Sequence, residues 1–413
     1  MRPGPPRQRV FAGRIEEIRA SSANAPNGVL RGRGLFYTPG GLPGAQRAGM
    51  TATPYISSHS GTAFPRLWPA FAVLTVLWLV SLPLACLPGP VSLSAEQVFH
   101  ALAAQLGLVQ EPQDASLMLV VGQIRLARVC LAALCGGALA VAGVALQGVL
   151  RNPLADPFTL GISAGAACGA SVAIALGGVL AATLSAPLAA LRLPLPGPAA
   201  LVPPAALAGA LLALAGALWL GRGDGGFRRE SVILAGIAVA AFLGALVALI
   251  KALNEESVTS IVFWIMGSFQ GRGWDSLPLL LLTLVPGLLA VGMGWRALDV
   301  LALGDEQAAQ LGLHVGRARL WLLAGASCMT AGCVAVAGVI GFVGLVVPHV
   351  LRLVLGCGHG PLLAGAFFGG GVLLVWADVL ARCVLDGGQE LPVGVVTALV
   401  GGPFFALLVR RRT

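Results

Sequence analysis

From residue 67 to the C-terminus the chain alternates apolar runs of about twenty residues with short breaks rich in Gly, Pro and charge. Ten runs can be marked, at 67–87, 118–150, 158–180, 201–221, 230–252, 276–295, 319–340, 341–356, 361–383 and 394–410. A helix of roughly 20 apolar residues crosses roughly 30 Å of hydrocarbon. The pattern therefore predicts an all-α polytopic membrane protein with about ten transmembrane helices. The second run is long enough to project past the bilayer, and the eighth is short. One octet recurs: "GALAVAGV" at 137–144 and "GCVAVAGV" at 332–339 agree at six of eight positions. These octets fall in the second and seventh runs, which cross in opposite directions. That placement predicts a five-helix unit used twice with inverted topology, the alternative being chance likeness between Ala/Val/Gly-rich helices. Small residues at spacing four, Gly161/Gly165/Gly169 and Gly365/Gly369, predict close helix packing.

Composition sharpens the class. Of 413 residues, 57% are hydrophobic and 10% charged, with a mean hydropathy of +0.87, which excludes a soluble domain. The first 49 residues depart from this: eight Arg against two Glu give +6 of the net +9, without apolar periodicity. Such a segment buries too little surface to fold. Residues 1–60 are therefore expected to form a disordered basic tail and residues 61–413 one ten-helix domain, with Met50 as an alternative start. Charge also sets orientation, because cytoplasmic loops retain Lys and Arg. With the N-terminus inside, twelve arginines fall at inner ends (Arg66, Arg151, Arg222, Arg228, Arg229, Arg296, Arg317, Arg319, Arg352 and Arg410 to Arg412). Six basic residues fall outside (Arg125, Arg128, Arg192, Lys251, Arg272, Arg382). Both termini are expected to be cytoplasmic.

The chemistry that is missing narrows the function. Lys251 is the only lysine, and it does not stand in a glycine-rich turn before Ser or Thr, so the chain has no phosphate-cradling loop. ATP, if used, is bound elsewhere. The eight cysteines lie mostly inside apolar runs, and the pairs Cys130/Cys135 and Cys328/Cys333 are five apart, on different helix faces. They read as small apolar fillers. Cys357 and His359 in "CGHG" are two groups and make no metal site. Asp378 is the one clear acid within an apolar run, and Arg382 at i+4 can neutralise it. No catalytic constellation is visible, and the expectation is no catalytic residue, no metal and no cofactor bound by this chain.

The break "RNPLADPFTLGISAGA" at 151–166 concentrates polar and helix-breaking residues between two greasy runs. Arg151 follows the positive-inside bias, while Asn152, Pro153, Asp156 and Pro157 stop one helix and start the next. Taken with "GVIGFVGLVVPHVLRLVLG" at 338–356, "LLVWADVLAR" at 373–382 and "ELPVGVVTALVGGPFF" at 390–405, this stretch resembles the permease family of iron-siderophore, haem and vitamin B12 ABC importers. The resemblance implies a ten-span homodimer in the bacterial cytoplasmic (inner) membrane, surrounded by membrane lipid. It also implies two cytoplasmic ABC ATPases that hold ATP and Mg, a periplasmic or lipid-anchored binding protein above, and no nucleic acid. It implies uptake of a metal chelate, iron-siderophore first, with cobalamin or haem as the alternative. A stand-alone carrier or an intramembrane enzyme is the rival of a different class. Arg125 and Arg128 in "GQIRLARVC", with Arg382, match the family's docking arginines for the binding protein. The segment 297–320 resembles its ATPase coupling loop, with Gly304, Asp305, Ala308, Leu311 and Gly312 as the matching positions. Asp305 is expected as an N-cap, and Ala308, Ala309 and Leu311 as one apolar face. The motif "FWIMGSFQGRGW" at 263–274 is expected as an outer membrane-surface helix.

Overall fold

The computed structural model describes residues 64–110, 114–190, 197–223, 226–227, 229–356, 358–385 and 387–410. The expected basic tail, the Met50 start, Arg192, Arg228, Cys357, Arg411 and Arg412 lie outside the described residues. Each of the ten expected runs carries a helix: α1 (Phe64–Ala85), α3 (Ala115–Leu150), α4 (Ile162–Ala190), α5 (Val202–Leu220), α6 (Arg229–Leu253), α8 (Leu277–Met293), α11 (Val315–Ala337), α12 (Val343–Leu355), α13 (His359–Cys383) and α14 (Val393–Arg410). Four shorter helices join them: α2 (Ala95–Gln105), α7 (Val258–Ile265), α9 (Trp295–Leu303) and α10 (Asp305–Gln310). Seven of the helices are long and apolar enough to cross a bilayer, and α1, α12 and α14 carry shorter apolar stretches. A hairpin pairs Arg222 with Phe227 between α5 and α6.

The layering follows from which helices lack a polar face. α3 is apolar all round and most of its length is buried, the signature of a central helix. By contrast α6 leaves Leu234, Ile237 and Phe242 exposed, as a rim helix does when its solvent is lipid or another protein. Around α3 stand α13, α11 and α12. Backbones approach so closely there that a Cβ on Gly136 would overlap the Gly370 carbonyl, and one on Gly143 the Gly344 carbonyl. Gly165 and Gly169 meet α5 in the same way, at Gly209 and Ala205. Gly161, the third of that expected stripe, instead ends a turn at φ 79°.

Contacts follow the repeat. α3 packs on α13 as α11 packs on α5, α4 on α5 as α12 on α13, and α4 on α6 as α12 on α14. The two helices that carry the recurring octet also pack on each other. Both end on left-handed or glycine backbone, α3 at Arg151 (φ 49°) and α11 at Gly338 (φ 73°).

Candidate functional site

Two polar constellations sit at opposite ends of α3. The first starts where α3 opens: Asp114 accepts from the Ser116 N–H at 2.9 Å, and the helix then widens into π-turns over Leu119–Arg125. Trp274 donates its indole N–H to the Gly122 carbonyl inside these turns, at 3.0 Å. Arg125 donates to the carbonyls of Cys86 (2.9 Å) and Leu87 (2.8 Å) and to that of Val91. Arg382 donates to those of Ala85 (3.1 Å) and Pro88 (3.0 Å). These carbonyls belong to the end of α1 and the rim after it, where a helix leaves acceptors without partners and carries partial negative charge. Two guanidiniums supply what the helix cannot.

Arg128 completes the cluster with a bidentate grip on Asp378 at 2.9 to 3.1 Å and a bond to Glu390 at 2.7 Å. Arg382 lies 3.2 Å from the same aspartate, so the expected i,i+4 pair exists, but the stronger partner of Asp378 comes from 250 residues away. The resemblance pointed to three cations offered to a partner. Instead Arg125, Arg128 and Arg382 are 4%, 6% and 5% exposed and bonded inside the chain. Nearby, the expected surface helix at 263–274 stops at Ile265. Gly267 and Gly271 take φ of 73° and 69° there, a left-handed backbone that ends the helix.

At the other end of α3 the break at 151–157 gains a mechanism. Arg151 adopts the left-handed conformation, and the bonds Arg151 N–H to Gly148 O (3.3 Å) and Asn152 N–H to Gln147 O (3.2 Å) form a Schellman closure, with arginine where glycine is usual. The Asn152 side chain accepts from the Leu154 N–H at 3.0 Å. Asp156 then caps the next turn through the Phe158 N–H at 2.9 Å, with Pro157 at its first position. Burial pushes the Asp156 carboxyl up to about 6, against that backbone bond, which lowers it. The Arg151 guanidinium crosses to α9 and donates to the Leu301 carbonyl, at 2.7 Å from Nε, and lies 3.8 Å from Asp305.

The segment 297–320 does hold two short helices, α9 and α10, parted at Gly304 (φ 136°) and closed at Gly312 (φ 84°). Two expectations about it are corrected. Gly304 is the residue before α10 and Asp305 its first residue, so no side chain caps the helix; the Asp305 carboxylate instead pairs with the buried Arg319. Nor do Ala308, Ala309 and Leu311 share one face, because a six-residue helix against a protein surface divides them. Ala308 is fully buried, while Leu311 is 65% exposed and Leu303 63%. At the base, Asp299 accepts from the backbone N–H of His359 (3.0 Å) and lies 2.7 Å from its Nδ1. That carboxylate at the N-terminus of α13 accounts for the histidine in "CGHG", and no cluster of metal-ligating side chains occurs among the described residues.

The roles of Glu390, Asp299, Trp274 and Arg319 were not visible in the sequence, since each depends on a partner brought near by folding. Comparison with known proteins adds what geometry alone leaves open. The model of the FecCD transport family matches residues 73–411. The chain belongs to that family. A haemin transport system permease protein, HmuU of Yersinia pestis, is 41% identical over 295 residues, covering 70% of this chain and 82% of the relative. A cobalamin import system permease protein, BtuC of Halobacterium salinarum, is 38% identical over 315 residues, covering 76% and 78%. Among solved structures, an inward-facing metal-chelate type ABC transporter superposes with a TM-score of 0.67 at 29% identity, covering 83% of this chain and 99% of that one. The FecCD chain is thus a multi-pass ABC importer permease of the bacterial inner membrane. The four long motifs that carried the resemblance all fall inside the matched region.

Proposed function

We propose that this permease carries a metal chelate, an iron-siderophore first, through a homodimer driven by two cytoplasmic ABC ATPases that hold the ATP and Mg. The observation that carries the reading is the α9–α10 segment. It presents Leu303 and Leu311 outward while Ala308 and Arg319 anchor it inward, the arrangement of a small apolar plug seated in another protein's cleft. Gly304 and Gly312 let that plug turn tightly. The relatives named for haemin and cobalamin support the chelate class. On the opposite end we place the binding protein, periplasmic or lipid-anchored, on the rim 85–91. Arg125, Arg128 and Arg382 serve docking there by holding that rim in shape. Exposed Val91 is then a better probe of contact than the arginines, whose loss would also disturb the rim.

Uptake of labelled ferric siderophore, haem and cobalamin by cells with and without the protein tests the cargo. Iron-siderophore uptake should fall on deletion and return on complementation. Loss confined to haem or cobalamin would replace the first reading with the second.

A further inference from the structure

Beside the arginine cluster lies a cavity of about 280 Å³ lined by Ser260, Trp264, Ser268, Gln270, Arg272 and Glu390 among others. Its walls come from three chain segments locked together. The Ser268 N–H donates to the Ala337 carbonyl at 2.7 Å, and the Gly394 N–H to the Gly267 carbonyl at 3.3 Å. A Cβ on Gly267 would overlap the Val339 carbonyl, one on Gly338 that of Trp264, and one on Gly394 that of Met266. Walls packed backbone to backbone do not collapse into the space between them.

The polar lining is rich in donors and short of acceptors. Arg272 is half-buried, and no carboxylate lies within ion-pairing distance of it among the described residues. Asp275 attracts it without bonding, and burial holds its pKa below the usual arginine range. The Trp264 indole nitrogen is buried without an acceptor among the described residues. Ser268 uses its oxygen to accept from the Gln270 N–H at 3.0 Å, which leaves its proton to give. The one acid, Glu390, is already engaged by Arg128 at 2.7 Å. Desolvated donors and an unpaired guanidinium are costly unless an acceptor completes them.

We propose that this cavity is a binding site for a carboxylate-bearing small anion, held by the Arg272 guanidinium with Ser268 and the Trp264 indole N–H. The site goes beyond the transport reading and does not depend on which chelate the permease carries. The carboxylate can belong to a free anion or to a chelate in transit.

Purified full-length protein in lipid nanodiscs is titrated with free citrate in one arm and with iron-loaded citrate in the other, with uncharged glycerol as control. Wild type should bind at least one carboxylate probe saturably. Arg272→Gln should weaken that binding by about tenfold or more, and Trp264→Phe by a smaller factor. Arg272→Lys, which keeps the charge but loses the fork, should fall between them. Size-exclusion profiles show whether each variant is folded, and Arg317→Gln at an exposed position serves as the comparison. Binding of free citrate assigns the site to small anions, and binding of the iron-loaded form alone assigns it to the chelate. Affinity unchanged in both Arg272→Gln and Arg272→Lys, or no saturable carboxylate binding by wild type, would overturn the proposal.

Discussion

Asp378 is fully buried between two guanidiniums, and its removal leaves Arg128 with Glu390 alone and Arg382 with no carboxylate, only the carbonyls of Ala85 and Pro88. Breaking a buried pair from one side costs about 3–5 kcal/mol, far above the roughly 0–1 of an exposed pair. Asp378→Ala should therefore lower unfolding stability in mixed micelles by an amount of that order, and Arg128→Met together with Glu390→Gln in the same background should recover part of it. A loss no larger than an exposed pair's would mean water reaches the cluster. Asp156 gives the opposite sign of pH dependence from an ordinary paired carboxylate. Its folded pKa is raised to about 6 above an unfolded value near ~3.9. The folded state thus binds the proton more tightly, and stability should fall as pH rises through about 4 to 6. Melting curves of wild type should show that fall, Asp156→Asn should flatten it while keeping the cap, and Asp156→Ala should be equally flat but lie about 1 kcal/mol below Asp156→Asn at any pH, for want of the cap. At this scale the sequence announced the residues and hid their partners: "RNPLADP" was plainly a turn, but nothing in it points to Leu301, 150 positions away.

Elements were more legible. Apolar run length alone located every long helix, because a bilayer demands that length whatever the packing. Helix interfaces were legible in part. Gly165 and Gly169 announced themselves by spacing, but the tightest approaches, Gly136 to Gly370 and Gly143 to Gly344, join one residue from each of two helices, which no single-helix pattern encodes. Gly143→Val should push α3 off α12 and reduce the yield of folded protein, while Gly178→Val, where a side chain meets open space, should be silent in the same expression assay. The α9–α10 pair separates two kinds of damage. Ala308→Arg forces a charge into a fully buried site and should destabilise this chain itself. Leu311→Arg should leave melting unchanged yet weaken ATPase co-purification and uncouple hydrolysis from uptake. Wild-type ATPase binding and uptake by Leu311→Arg would reduce the segment to a connector.

For the whole molecule, the rival of a self-sufficient carrier makes a different forecast. Reconstituted alone in liposomes, the permease should move no chelate, and the addition of its ATPase, ATP and loaded binding protein should restore flux. Flux from the permease alone would favour the carrier. The internal repeat was readable from one octet, yet its meaning lay in contacts: α3 and α11 meet at the centre as counterparts. α3 has a mechanical consequence as well. From Leu126 to Leu150 it is unbroken α-helix, roughly 37 Å of stiff rod at about 1.5 Å per residue. Its lower tip is pinned by Arg151 to the carbonyl end of α9, and its upper tip by Arg125 to the far end of α1. Directly beyond that rod the chain passes through the π-turns of Leu119–Arg125, so the tip pinned by Arg125 is also where the regular α-helical ladder begins, and the two faces of the bilayer are joined by a single straight strut held at both ends.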